Sequence, residues 1–365
     1  MADKEKEEAK NIQITEEFDS GLTDAQLVSQ ITLWETEAME LQGVLKPIQQ
    51  QNIEYYKAIQ TGVQDIYGKS SKAVENRIWM AVETTIPIAT SRLPDIVVMS
   101  GDEDEMSQME ADALQSVLQF HMERLGIQEQ AERFLRNMLV KRYGVFKVCW
   151  NKEKDDVDLY EIDPKRIKIP KYGKNEEALA FIIEDLELSY GQLVDQFGEE
   201  KAKIAVANSP GNTTDIKVRQ RTYSVQEVWT NKFVAWKCGS QILKSEKNPY
   251  YDFSDDDNNF FDSPRKPYVI KSLFHTEESI IGDTDYIQQL ISVQDNINIR
   301  KRQIENITGR TANPILLIDS DVMTEEQATA ITNEEGLIIF GKGAADGTKI
   351  RFENPGQLPN SVFVD

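Results

Sequence analysis

A chain of 365 residues with 40% hydrophobic content can bury one large or two modest cores and is too apolar for a disordered protein. Its formal net charge of −21 and pI near 4.7 exclude general nucleic-acid binding through the outer surface, because like charges repel; DNA passing a specific, locally less negative surface stays compatible. Cys149 and Cys238 lie in apolar strand-like runs and read as buried free thiols of a reducing cytoplasm, and no apolar N-terminal stretch reads as a signal peptide.

Residues 1–20 are charged and poor in apolar groups, the composition of a mobile acidic tail. Thr23 then opens a helix with Leu27, Ile31 and Trp34 at helical spacing, and Pro47 is expected to break it. A second helix is expected from about Lys72 to Arg92, ahead of Leu93-Pro94, and Gly101 to Glu105 reads as an acidic turn. Met106 to Leu125 is helical again, with Leu114, Val117, Leu118 and His121 on one face, and Gly126 separates it from a helix reaching Arg142.

The apolar period then changes to two. Val145–Trp150 and Val157–Ile162 form an expected hairpin, followed by strands at Arg166–Ile169 and Leu179–Leu188. Two short helices occupy about Ser189 to Asn208, and Ser209 to Asn212 is a loop. Strands resume at Tyr223–Thr230 and Phe233–Cys238, with Gly239 as a tight turn. After a polar-aromatic loop from Asn248 to Asp262, a strand is expected at Tyr268–Phe274.

The stretch from Ile280 to Ile318 is the most informative. Asp283 or Asp285 can cap a long helix and Gly309 can end it, leaving about 25 residues, or roughly 37 Å. Leu290, Ile297 and Ile304 recur every seven residues with Val293 and Ile307 beside them, a narrow apolar seam. Gln288, Ser292, Asp295, Arg302 and Asn306 form the opposite face, and Arg300 and Lys301 flank the stripe. The helix is too polar to span a membrane and carries net positive charge inside an acidic chain. An ordinary amphipathic helix on a large domain fits the same periodicity. A compact unit follows: strand Pro314–Ile318, helix Thr324–Thr332, strands Leu337–Phe340 and Lys349–Phe352.

No catalytic or metal-binding set emerges, and no cofactor is expected. Gly336 to Lys342 matches most of a phosphate-binding G-x4-G-K pattern, but Gly343 replaces the magnesium-holding Ser or Thr and the intervening run is strand-like. Asp255-Asp256-Asp257 lacks the alternating ligands of a calcium loop. Asp156, Asp158 and Glu161 could hold a nuclease metal but suit a strand's wet face better. His121 and His275 are far apart in sequence, without zinc spacing. Trp34, Trp79, Trp150, Trp229 and Trp236 fall on apolar-periodic faces and suit a core better than base stacking.

The order of elements is itself specific. A helical region carries Glu75-Asn76-Arg77 and Ser91-Arg92-Leu93-Pro94. A mixed sheet opens at Tyr143-Gly144-Val145-Phe146-Lys147 and runs to Asp163-Pro164, followed by a Glu227-Val228-Trp229 strand. One long helix through Gln294-Asp295-Asn296-Ile297-Asn298 leads to Asn313-Pro314 and a small strand-helix-strand unit. This resembles the portal, or head-to-tail connector, protein of tailed bacteriophages. The resemblance implies an α+β fold: a wing of helices and mixed sheet over residues 21–278, a stem helix over 279–310, a clip over 311–353, and the start of a second stem segment at 354–365. The family continues into a second stem helix and a crown, and this sequence ends where that helix would begin. The resemblance further implies a non-enzymatic subunit of a dodecameric ring at one capsid vertex of the virion, assembled in the host cytoplasm. Double-stranded DNA passes through such a ring during packaging and ejection. Its implied partners are the terminase motor, capsid and scaffolding proteins and tail adaptors, with no membrane. On this reading Arg302 is the first candidate to face DNA, with Arg300, Lys301, Arg310, Gln288 and Asn306 beside it. Intersubunit salt bridges are the alternative use of the cations, and Leu290, Val293, Ile297, Ile304 and Ile307 pack the stem. Arg302→Glu is then expected to spare assembly and alter packaging. The competing classes are a metal-dependent nuclease or other phosphate-handling enzyme, and a scaffold or adaptor without a channel.

Overall fold

The computed structural model describes residues 22–60, 73–92, 96–101, 105–151, 154–207, 221–254, 259–275, 279–312, 315–324, 326–327, 338–342 and 350–353. The acidic tail, the loop at 209–212 and the aspartate run 255–257 lie outside them. The architecture mixes helix and sheet in two compact units, Met1–Ile53 with Ala81–Gln289, and Glu54–Met80 with Leu290–Asp365. Among the described residues no helix is long and apolar enough to cross a membrane.

Helix α1 (Asp24–Tyr56) starts at a reciprocal cap: Thr23 Oγ1 accepts from Gln26 N at 3.4 Å, and Gln26 Oε1 accepts from Thr23 N at 2.9 Å. It does not break at Pro47. A proline inside a helix costs about 3 kcal/mol. That is offset by a buried row on both sides of it, whose amides reach distant acceptors. Gln42 Nε2 donates to Ile167 O at 2.8 Å, Gln49 Nε2 to Lys141 O at 3.0 Å, and Asn52 Nδ2 to Asp285 Oδ1 at 3.0 Å.

The next helices are α2 (Arg77–Thr90), α3 (Glu105–Arg124) and α4 (Ile127–Val140), with α3 and α4 joined through left-handed Gly126. Helix α2 is shorter than expected. On α3 the expected apolar face splits: Leu118 and His121 are half-buried, whereas Leu114 and Val117 are exposed.

Strands β1 (Tyr143–Asn151) and β2 (Asp156–Ile162) form the expected antiparallel hairpin, and β8 (Tyr268–Ser272) pairs on the other side of β1. A second sheet is a five-stranded antiparallel meander of β3 (Ile167–Lys168), β4 (Phe181–Ser189), β5 (Thr222–Thr230), β6 (Phe233–Cys238) and β7 (Gln241–Lys247). Alternation along β4 to β6 separates two cores. Phe181, Ile183, Val228, Phe233 and Ala235 pack with Leu27, Ile31 and Ala38 of α1. Leu188, Tyr223, Val225 and Cys238 pack with helices α5 (Tyr190–Phe197) and α6 (Glu199–Ala207). Two of the five tryptophans depart from the core expectation: Trp229 is buried and Trp34 stacks on Phe181 at 5.4 Å, but Trp79 and Trp150 are exposed.

Helix α7 (Tyr286–Ala312) is the long helix. Asp285 caps it, its Oδ1 accepting from Gln288 N at 2.8 Å. Gly309 does not end it; one interior glycine costs about 1 kcal/mol, too little to stop a long helix. In the second unit β9 (Ile315–Asp319) pairs in parallel with β10 (Ile338–Gly341) and antiparallel with β11 (Ile350–Glu353). Leu316 and Ile318 form the small core with Met323, Ile338 and Phe340. The phosphate-loop-like run is therefore largely strand β10. The expected helix at 324–332 lies mostly outside the described residues.

Candidate functional site

The first turn of α7 is fixed within the first unit. The buried Asp285 carboxylate accepts from Asn52 at 3.0 Å and from Arg142 Nε at 3.4 Å, besides capping the helix. Arg142 reaches it from a backbone with φ +78°, a conformation uncommon outside glycine. Gln288 Nε2 donates to Asn52 Oδ1 at 2.8 Å and to Gln51 Oε1 at 3.1 Å. Just upstream, Gly282 has φ +66°, and a Cβ there would collide with Phe274 O.

Beyond that turn, within the second unit, the buried face of α7 centres on a polar row: Gln294, Asn298 and Arg302 at four-residue spacing. Gln294 is only 1% exposed. Its Oε1 accepts from Arg77 N at 2.9 Å and Ile78 N at 3.3 Å, and its Nε2 donates to Glu75 O at 2.7 Å and Asn298 Oδ1 at 3.0 Å. Asn298 Oδ1 also accepts from Glu75 N at 3.2 Å, and its Nδ2 donates to Gln60 Oε1. These amides bond the segment entering α2: Gln294 is the acceptor for Ile78 N and a second one for Arg77 N, which also donates to Glu75 O at 2.9 Å.

Charged groups complete this clamp. Lys301 Nζ pairs with Glu75 at 2.9 Å and, first among several causes, holds that carboxyl below its ordinary pKa. Tyr55 donates to Asp295 Oδ1 at 2.8 Å, and burial together with that bond pushes its phenol up to about 12. Arg302 is 8% exposed and its Nε donates to Ala73 O at 3.3 Å. The expected open polar face thus has its principal cation buried, because the backbone at 73–78 needs the donors and acceptors of that face.

Of the remaining channel candidates, Arg300 is exposed, Lys301 is half-buried, and the side chains of Arg310 and Asn306 lie outside the description. The apolar seam runs along the margin of the buried face. Leu290, Ile297 and Ile304 are half-buried, Val293 is 55% exposed, and Ile307 lies outside the description. Ile299 is exposed too, beside Asn296, Arg300 and Gln303. The roles of Gln294, Asn298 and Glu75 were missed by sequence reasoning; the four-residue spacing of the first two was the available signal.

The nuclease-like carboxylates do not converge. Asp158 accepts from Asn151, Lys154 and Tyr160, which lower its pKa to about 2, the Asn151 bond contributing most. Asp156 pairs with Arg124 at 3.0 Å, and Glu161 accepts from Asn137. Among the described residues no cluster of His, Cys, Asp or Glu could hold a metal ion. A cleft of about 460 Å³ on the first unit is lined by Glu35, Lys168, Asp185, Gln226 and neighbours. Lys168 there is tied to Glu35 and Asp185, both at 2.8 Å, so it offers no free cation to an anion.

No protein-family model matches the chain, and no curated protein is significantly similar to it.

Proposed function

We propose that this chain is a portal protein subunit, which assembles with identical copies into a ring around a channel for double-stranded DNA. The observation that carries this reading is the sidedness of α7. Its polar row is consumed by backbone of its own chain, while Val293 and Ile299 stand in solvent beside the half-buried seam. Val293 continues the half-buried strip of Leu290, Ile297 and Ile304 into solvent, and a continuous apolar strip on a long helix invites cover from another molecule. A ring arises when one surface docks on a different surface of the next copy and the rotation closes.

An acidic chain suits a conduit that must not hold DNA, since each added lysine or arginine contact with phosphate raises affinity. Arg300 takes the place of Arg302 as the cation facing the lumen, giving weak, salt-sensitive contact. The wing, stem and clip are then residues 21–278, 279–310 and 311–353. The clip meets the terminase motor during packaging and tail adaptors later, in a particle that also contains capsid and scaffolding proteins. The subunit performs no chemistry in this scheme.

Sedimentation of three forms tests the reading. The wild type should run as a large closed oligomer, Val293→Asp should fall to small species, and Gln289→Glu, on the first-turn part of the exposed surface, should not change the size. A Val293→Asp oligomer of unchanged size would remove α7 from the interface.

A further inference from the structure

Helix α3 carries two apolar stripes. Ala111, Gln115, Leu118, Met122 and Leu125 recur at alternating four- and three-residue steps and are buried or half-buried. Gln115 Oε1 accepts from Val98 N at 3.2 Å on that side, and Arg124 ties the helix end to Asp156 and Val157 O. The other stripe faces solvent: Met109 is 68% exposed, Phe120 60%, and Met106, Ala113 and Val117 fall between or beside them at the same helical intervals, with Leu114 alongside. It is about 17 Å long from Met109 to Phe120 at 1.5 Å per residue, or three turns.

A solitary exposed apolar residue needs no explanation, but a continuous stripe with methionines and an aromatic ring does. Methionine and phenylalanine are adaptable, high-area contacts of the kind that receive an amphipathic helix. The rim states what that helix must look like. Glu110 flanks one side of the stripe and Asp112 and Glu123 the other, all exposed, while the helix's arginine is engaged by Asp156. A second copy of this acidic chain would bring like charge to like charge.

We propose that the outer face of α3 is a docking site for a basic amphipathic helix of another protein, with lysine or arginine on both flanks of an apolar stripe. This goes beyond the ring and does not depend on it. The site is an i, i+3/i+4 apolar track, and its acidic rim sets orientation and excludes acidic partners.

The test uses the full chain with two synthetic helical peptides of identical leucine stripe, one flanked by lysines and one by glutamates. Fluorescence anisotropy should show saturable binding of the lysine peptide only. Met109→Glu/Val117→Glu, both at exposed positions, should weaken it about tenfold or more, as expected when central apolar anchors are removed. This variant separates the proposal from mere attraction of opposite charges. Two added carboxylates would tighten a purely electrostatic complex, so equal or stronger binding by the variant overturns the docking site. So does equal binding of both peptides. Concentration-dependent self-association of the wild type that the same variant abolishes would assign the stripe to a second copy and also overturn it. Circular dichroism of the variant, unchanged in the expected case, checks that α3 still folds.

Discussion

Gln294→Leu is the sharpest probe of how α7 is built. Leucine approximates the volume of glutamine but neither accepts nor donates, so Ile78 N loses its Gln294 acceptor, while Arg77 N and Glu75 O keep their 2.9 Å bond to each other. Stranding a buried polar group costs about 1–3 kcal/mol. The entry to α2 can regain some water, so the low end applies, and the one stranded group, Ile78 N, gives about 1 kcal/mol. Two units need not unfold as one, so a single global midpoint would blur the effect. Native-state hydrogen exchange of the Ile78 amide reads it locally, as a rise in exchange of roughly fivefold at 1.4 kcal/mol per tenfold. If Gln294 instead faced an open lumen, the substitution would behave as a surface change within about 0.5 kcal/mol. Unchanged exchange at that amide would therefore refute the clamp and return the polar row to solvent.

Other perturbations reach other parts of the molecule. Glu184 and Glu227 sit directly opposite each other across β4 and β5, and Lys147 bridges them at 2.9 and 2.7 Å. Lys147→Met should cost about 3–5 kcal/mol in urea unfolding, as expected for removing one partner of a buried ion pair, and adding Glu184→Gln and Glu227→Gln should restore much of it. Lys266 donates to Glu176 O and Asn231 Oδ1, neutral acceptors, and burial pulls its pKa down to about 8 from 10.5. Between those values the unfolded chain holds a proton that the native state has released, so this group makes stability rise with pH there; Lys266→Met should flatten that rise in a pH series of unfolding curves. Gly282→Ala should destabilise by at least about 1–2 kcal/mol from its left-handed backbone alone, before the collision with Phe274 O, measured as a lowered urea midpoint.

The strands were the most legible part of the sequence. Alternation found β1, β2 and β8, whose two faces differ in exposure, and β4, β5 and β6, whose two faces feed separate cores. Strand β7 escaped because Ile242 and Leu243 are adjacent in a polar run, and pairing with β6 supplies what the pattern lacks. Pro47 misled for a related reason: the amides that hold α1 on either side of it bond to Ile167, Lys141 and Asp285, which no local window contains. On α7 the period was visible but not the direction. Leu290, Val293, Ile297 and Ile304 form a real stripe, yet the inward centre is Gln294, Asn298 and Arg302, whose partners are backbone groups some 220 residues earlier in the chain. Periodicity says how wide a face is. Where the polar side faces inward, only its distant acceptors reveal it.

Electron-microscope imaging of the assembled protein, averaged without imposed symmetry, tests the central claim most directly. The account predicts end-on views of a closed ring of identical copies, with α7 of each copy beside the central opening and Arg300 turned toward it. A monomer at high concentration, or an oligomer whose opening is bordered by other elements while α7 stays remote from it, would contradict the account.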